Sequence, residues 1–240
     1  MLLIIEYFFC NLNIAIFGSS GAIGRSLCLE YAKSKNTNKI FAFSRDNVTS
    51  NDIKIINRQV NYLDENSLKQ ATEILNVKLD LIIIATGALK NPEKSIKDLS
   101  IEKFMKMFEA NTLPTALISK YFLPILYKDR ITKFTALSAR VGSIEDNHLG
   151  GWYSYRASKT ALNMVLKNLS IEQQRINPNS IVFGLHPGTV NSPLSKPFQR
   201  KNMEYFSPEF SAKKLKEVIS LKTIKDNGKI FAWDNSEIKP

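Results

Sequence analysis

The sequence predicts an α/β fold: a single doubly wound parallel sheet of about seven strands with helices on both faces. Three observations predict it. Short apolar runs alternate along the chain with longer stretches of helical periodicity. Runs such as Leu81-Ile-Ile-Ile-Ala85 are apolar throughout, which suits strands covered on both faces. The length of 240 residues, 44% of them hydrophobic, fits one large domain with a sizeable core.

In order, the strand candidates are Asn13–Phe17, Lys39–Phe43, Ile53–Val60, Leu79–Ala85, Ile131–Leu137, Ser180–Leu185 and Lys229–Trp233. Between them stand helix candidates at Ile23–Ser34, Glu65–Leu75, Ile101–Leu126, Tyr155–Ile176 and Ser211–Ile219. In the fourth helix, Ala157, Ala161, Leu162, Val165, Leu166 and Leu169 keep helical spacing, while Lys159, Asn163 and Lys167 are polar. Internal repeats, low-complexity tracts and linkers are lacking, so residues 1–240 read as one domain. Residues 1–11 read as an N-terminal extension. The apolar stretch Met1–Cys10 carries Glu6 and lacks a basic leading region and a small-residue cleavage site, unlike a secretory signal. It reads either as an added strand or as an overextended start of translation.

Composition excludes several classes. No run of 18 apolar residues occurs, so no membrane span is expected. Cys10 and Cys28 offer neither metal-ligand spacing nor a disulfide framework, which suits a reducing cytoplasm. His148 and His186 are too few for a histidine metal site, and no metal is expected. The net charge of +11 is scattered, apart from short groups such as Lys213-Lys214 and Arg200-Lys201. It reads as a solvated, Lys-rich surface rather than a nucleic-acid footprint, with a small part available to a phosphorylated ligand.

Two motifs carry chemistry. Ile14-Ala-Ile-Phe-Gly18-Ser-Ser-Gly21-Ala-Ile-Gly24-Arg25 reads as a strand, a glycine loop and a helix start. Glycines there let the backbone approach a pyrophosphate, and the N–H groups of the helix start bind it. At the first βα junction of an α/β chain this pattern predicts a Rossmann-type dinucleotide site, with Gly18, Ser20, Gly21, Ile23 and Gly24 expected to line it. The second strand ends in Ser44-Arg45, where an arginine accommodates a 2′-phosphate. NADP(H) is therefore expected in preference to NAD(H), although Asp46 follows directly. The second motif is Tyr155-Arg-Ala-Ser-Lys159. Its phenol and ammonium lie four residues apart on one helix face. An ammonium close by lowers a phenol from its usual value of about 10 by roughly 1–3 pH units. That would give a proton donor and acceptor usable near neutral pH.

Loop and Tyr-Lys pair together resemble a short-chain dehydrogenase/reductase, over nearly the whole chain. Leu137-Ser-Ala-Arg-Val-Gly-Ser143, Gly150-Gly-Trp-Tyr-Ser-Tyr-Arg-Ala-Ser-Lys-Thr-Ala-Leu-Asn163, His186-Pro-Gly-Thr-Val190 and Leu194-Ser-Lys-Pro-Phe198 resemble its C-factor and sniffer-type carbonyl reductase branch. The resemblance implies an NADP(H)-dependent oxidoreductase interconverting a carbonyl and an alcohol. Tyr155 would exchange the proton, and Lys159 would hold the nicotinamide ribose and lower the Tyr155 pKa. Asn111 would support a proton-relay water and also line the cofactor site. A serine after the fifth strand would bind the oxyanion. Pro187, Gly188 and Val190 would pack against nicotinamide. Residues 191–210, with Pro193, Pro197 and Pro208, would form a non-helical substrate loop whose Phe198, Tyr205, Phe206 and Phe210 suggest an apolar lid. Assembly into a homodimer or homotetramer would use Ile101–Leu126 and Tyr155–Ile176.

The chain departs from the family pattern at several positions. Ala22 stands where the branch usually has glycine. Asn61 replaces a carboxylate near the adenine, and Ile84-Ala85-Thr86-Gly87 replaces Asn-Asn-Ala-Gly, leaving backbone contacts at Ala85, Thr86 and Gly87. Ala139 occupies the usual serine position, so Ser138 is assigned that role, with Ser143 as the alternative. These departures also leave a second reading: a catalytically weak dinucleotide-binding sensor of the C-factor type.

Overall fold

The apolar runs of the sequence form the middle of one eight-stranded sheet. In the computed structural model, which describes residues 11–199 and 204–240, seven strands run parallel: β1 (Leu12–Phe17), β2 (Thr37–Ser44), β3 (Ile55–Gln59), β4 (Leu81–Ile84), β5 (Thr132–Leu137), β6 (Ser180–His186) and β7 (Ile230–Ala232). A two-residue β8 (Glu237–Ile238) pairs antiparallel with β7, one strand beyond the expected set. The order is β3-β2-β1-β4-β5-β6-β7-β8. The chain therefore reverses direction of winding between β1 and β4, which opens a crevice at their carboxyl ends. Met1–Cys10 and the Arg200-Lys201 group lie outside the described residues.

Successive strand residues point to opposite faces, and both faces are covered. In β1, Ile14 and Ile16 join a core shared with α1 (Ala22–Ala32) and α6 (Pro208–Leu221). Ala15 and Phe17 join the other core, with α2 (Glu65–Glu73), α4 (Leu113–Phe122) and α5 (Tyr153–Ile176). A sixth helix, α3 (Ile101–Asn111), packs on α5. Phe17 and Phe43 stack at 4.6 Å, and Phe122 meets them edge-on at 4.8 and 5.4 Å. All three are fully buried. Each such side chain contributes roughly 1.5–3 kcal/mol by burial. The trio braces the ends of β1 and β2, where the glycine loop begins.

Two helical regions differ from expectation by more than two residues at a boundary. The single helix expected over Ile101–Leu126 is broken at Thr112, which joins α3 to α4 at φ −116°, ψ −57°. Pro114 has no N–H to give the Ala110 carbonyl, and its ring crowds that carbonyl. The tail of the range, Leu123–Ile125, is a separate 3-10 turn containing Pro124. Pro208, expected in a non-helical cover, instead opens α6. Ser207 caps the helix by accepting the Phe210 N–H at 3.1 Å, and proline suits the first helical position.

Candidate active site

The expected cofactor residues collect at the carboxyl ends of β1 to β6. Gly18 follows β1 at φ +79°, and a Cβ there would lie 2.7 Å from the Ala85 carbonyl oxygen. Gly24 is tighter still: a Cβ would lie 2.2 Å from the Gly18 oxygen. Loop, helix and β4 thus pack backbone to backbone. Gly21 is the N-cap of α1, with no side-chain cap and no acidic residue in the first turn. The N–H groups of that turn are left for an anion, with the positive helix end behind them. Ser20 is exposed beside this turn, and Ile23 packs into the α1 core. The chain's own residues therefore fit a dinucleotide pyrophosphate.

Tyr62 is a member of this site that sequence reasoning missed. Its hydroxyl accepts the Gly18 N–H at 2.9 Å and donates to the Phe43 carbonyl at 3.0 Å, tying the loop to β2. Burial pushes its pKa up to about 12, so it stays a donor at neutral pH. Nothing in spacing or periodicity marks it, because a tyrosine after a strand reads as core. Arg45 is exposed past β2, where its carbonyl accepts from Gln59 Nε2 at 2.8 Å. Asn61 is exposed past β3, and its Oδ1 accepts the Leu63 N–H at 3.1 Å. Past β6, Val190 is buried and Pro187 O accepts from the Ser211 hydroxyl at 2.8 Å.

Two of the catalytic candidates, Asn111 and Lys159, meet beside the end of β4. Asn111, the last residue of α3, is buried, and its Oδ1 accepts the Ala88 N–H at 2.8 Å. Its Nδ2 donates to Ala88 O at 3.0 Å and to Ser158 Oγ on α5 at 3.1 Å. A Cβ on Gly87 would lie 3.2 Å from Asn111 Oδ1 and 3.5 Å from Lys159 Nζ. The break at Thr112 contributes to this arrangement, since the Thr112 hydroxyl donates to Ser158 O at 2.8 Å. Lys159 Nζ donates to the Leu137 carbonyl at 2.9 Å. Tyr155 and Lys159 are both buried, at 8% and 4% exposure.

One electrostatic expectation is corrected. Burial pushes the Tyr155 phenol up to about 12, instead of an ammonium drawing it down, and burial lowers Lys159 to about 8. In this low-dielectric setting desolvation of the charged forms dominates, and the ammonium is turned to a carbonyl.

Residues 13–203 match the family model described as short chain dehydrogenase. The chain belongs to the short-chain dehydrogenase family. It is an oxidoreductase of that family and is 33% identical over 160 residues to a 1-hydroxy-2-glutathionyl-2-methyl-3-butene dehydrogenase of a Rhodococcus strain, covering 67% of this chain and 68% of that one. It is 28% identical over 128 residues to the C-signal of Myxococcus xanthus, covering 53% and 75%. The fold superposes on the Drosophila melanogaster carbonyl reductase Sniffer with a TM-score of 0.86 at 19% identity, covering 96% of this chain and all of that one. An NADPH-bound carbonyl reductase from chicken fatty liver gives 0.84 at 21% identity, with the same coverage. Both carbonyl reductase structures share this chain's fold.

In this short-chain dehydrogenase the two candidate serines have different partners. The Ser138 hydroxyl donates to Asn163 Oδ1 at 2.6 Å, and Asn163 Nδ2 donates onward to Gly142 O at 3.2 Å, which fixes the amide orientation. Ser143 is buried, and its Oγ accepts the Asp146 N–H at 3.0 Å, leaving its own proton for another acceptor. Around Tyr155 stand Leu89, Met107, Val141, Trp152 and Phe198. The Trp152 ring lies 6.0 Å from Tyr155 and 5.5 Å from Phe198, so the expected loop does bring one aromatic over the site. Phe206 and Phe210 do not join it. They pack against Trp233 at 4.6 and 6.1 Å, at the base of the loop, where Phe206 pairs with Thr189 and Asn191 through backbone bonds of 2.9 and 2.8 Å. Among the described residues no group of three acidic, His or Cys side chains could hold a metal, and no helix is long and apolar enough to cross a membrane.

Proposed function

We propose that this short-chain dehydrogenase reduces a carbonyl group using NADPH, with Tyr155 giving the proton. The observation that carries the reading is the convergence of Lys159 Nζ and Asn111 Oδ1 on Gly87, one helical turn from buried Tyr155. The Tyr155 phenol is protonated at neutral pH, as a donor to a carbonyl must be, and burial, by pushing it up to about 12, makes it a weaker acid than an ordinary phenol. NADPH, when bound, supplies the hydride. The glycine loop and the first turn of α1, with Gly18, Ser20, Gly21, Ile23 and Gly24, would hold its pyrophosphate. Arg45 would take the 2′-phosphate, and Asn61 would lie near the adenine. Ala85, Thr86 and Gly87 would offer backbone groups, Lys159 would hold the ribose, and Pro187, Gly188 and Val190 would face the nicotinamide. The chicken carbonyl reductase, described as NADPH-bound, supports this cofactor.

The wall of Leu89, Met107, Trp152 and Phe198 favours an uncharged carbonyl substrate, because a buried charge there would lack a partner. Assembly of two or four copies would use the exposed Met105 of α3 and Met164 and Ile171 of α5. A second reading, a dinucleotide sensor with little turnover, is favoured by one observation: Ser138 gives its proton to Asn163 rather than to the crevice.

The test is Tyr155→Phe against a panel of ketones and aldehydes, with NADPH and NADH thermal shifts measured alongside. Turnover should fall by about 10²–10⁴-fold. NADPH should still stabilise the variant, and more than NADH does. A variant turning over at the parental rate would sink the mechanism. Tight NADPH binding by the parent with no turnover on any panel member would favour the sensor.

A further inference from the structure

The helix that carries Tyr155 lacks the usual devices of a helix start. Its N-cap is Trp152, in the left-handed region at φ 52°, ψ 41°, with no side-chain cap and no acidic residue in the first turn. A bulky residue in that region is strained and persists only where its surroundings over-determine it. The surroundings here are Glu93, from the segment between β4 and α3.

Glu93 is fully buried. Its backbone carbonyl accepts the Trp152 N–H at 2.6 Å. Its Oε2 accepts the Ser154 N–H at 3.2 Å, across 61 positions of sequence. The carboxylate thus serves as the N-cap that α5 does not supply, and places negative charge at the positive end of the helix. Burial pushes the Glu93 carboxyl up, but the bonds from Ser154, the Glu93 N–H and the Lys103 charge together outweigh it and hold the group below the usual carboxylate range. Oε1 is buried with no partner among the described residues. An apolar side chain would fill a core more cheaply than such a half-satisfied charge. Its value lies in what it holds: the Trp152 ring lies 6.0 Å from the Tyr155 ring, and Ser154 immediately precedes Tyr155 in the first turn of α5.

We propose that Glu93 is a positioning residue for the Tyr155 reaction, fixing the first turn of α5 and the Trp152 wall from outside the helix. The inference rests on Tyr155 being the proton donor, and the experiment separates the two. Glu93→Gln keeps an acceptor at the same reach and loses the charge. Glu93→Asp keeps the charge and is one methylene short. Kinetics of both are measured beside Tyr155→Phe, together with NADPH affinity by fluorescence titration and amide exchange at Ser154 and Tyr155. Glu93→Gln should stay within about threefold of the parental kcat, and Glu93→Asp should fall by at least about tenfold with NADPH affinity unchanged. Exchange at Ser154 and Tyr155 should accelerate in Glu93→Asp only. Parental kcat and exchange in Glu93→Asp overturn the proposal, as does an equal loss in both variants. A joint loss of NADPH binding and kcat in Glu93→Asp, the mark of general loosening, overturns it too. Undiminished turnover in Tyr155→Phe would instead remove the reaction on which it rests.

Discussion

At the scale of single residues, hydrogen-bond direction distinguishes two candidates that sequence matching leaves open. Ser138 and Ser143 are both buried and both follow β5. Only Ser143 retains a proton to offer, because Ser138 donates to an amide oxygen whose orientation Gly142 fixes. An oxyanion donor is worth about 10²–10³-fold in kcat. Ser143→Ala should therefore lose that much carbonyl reduction, and Ser138→Ala clearly less; steady-state kinetics on one substrate decide it. The reverse order would show that Ser138 turns to the substrate on binding. Tyr155, Lys159 and Asn111 were picked out by the family pattern of residue type and spacing, and Asn111 and Lys159 lie together beside Gly87. Tyr62 and Glu93 were not, since each acts through a bond to backbone more than forty positions away. Such pairings have no local signature.

At the scale of elements, the site depends on backbone contact between pieces that are distant in sequence. The α1 start presses on the glycine loop so closely that no Cβ fits at Gly24. The atom it would meet is a main-chain oxygen, which cannot swing aside. Gly24→Ala should therefore lose about 1–3 kcal/mol of stability and weaken NADPH binding together. Urea unfolding and a binding titration report the two effects, and an unaltered variant would mean that α1 can slide. Strand positions were readable from apolar runs because both faces of the sheet are covered. The break between α3 and α4 was not read, although Pro114 signals it, because apolar periodicity carries on across Thr112. The start of α6 was hidden in the same way: Pro208 counts as a loop residue until Ser207 is seen capping it.

At the scale of the whole molecule, buried ionisable groups tie stability to pH. His186 ends β6 with a buried Nδ1 that has no partner among the described residues. Burial, with Arg140 and Lys159 adding to it, pulls its pKa from 6.5 to about 4, against the smaller opposing pull of Asp234 and Asp146. Between those values the unfolded chain binds a proton that the folded chain refuses. Stability from this group is therefore present above pH 6.5 and lost as pH falls toward 4, by roughly 3 kcal/mol at most. His186→Gln should flatten the urea midpoint between pH 6.5 and 4 relative to the parent. Parallel curves would place the acid sensitivity elsewhere.

The strand order also governs how the chain reaches this state. The centre of the sheet joins β1 to β4, pairing Ile14 with Leu81, and β4 then waits for β5, where Leu81 pairs with Lys133. Both flanks of an entirely apolar strand are closed only by partners some fifty or more positions away. Loop-closure entropy must be met before either pairing is rewarded, so assembly is slow and leaves a sticky edge open in the meantime. Refolding from urea should show yields that decline as protein concentration rises, and a ribosome-bound chain that has not yet emitted β5 is the species a chaperone would find.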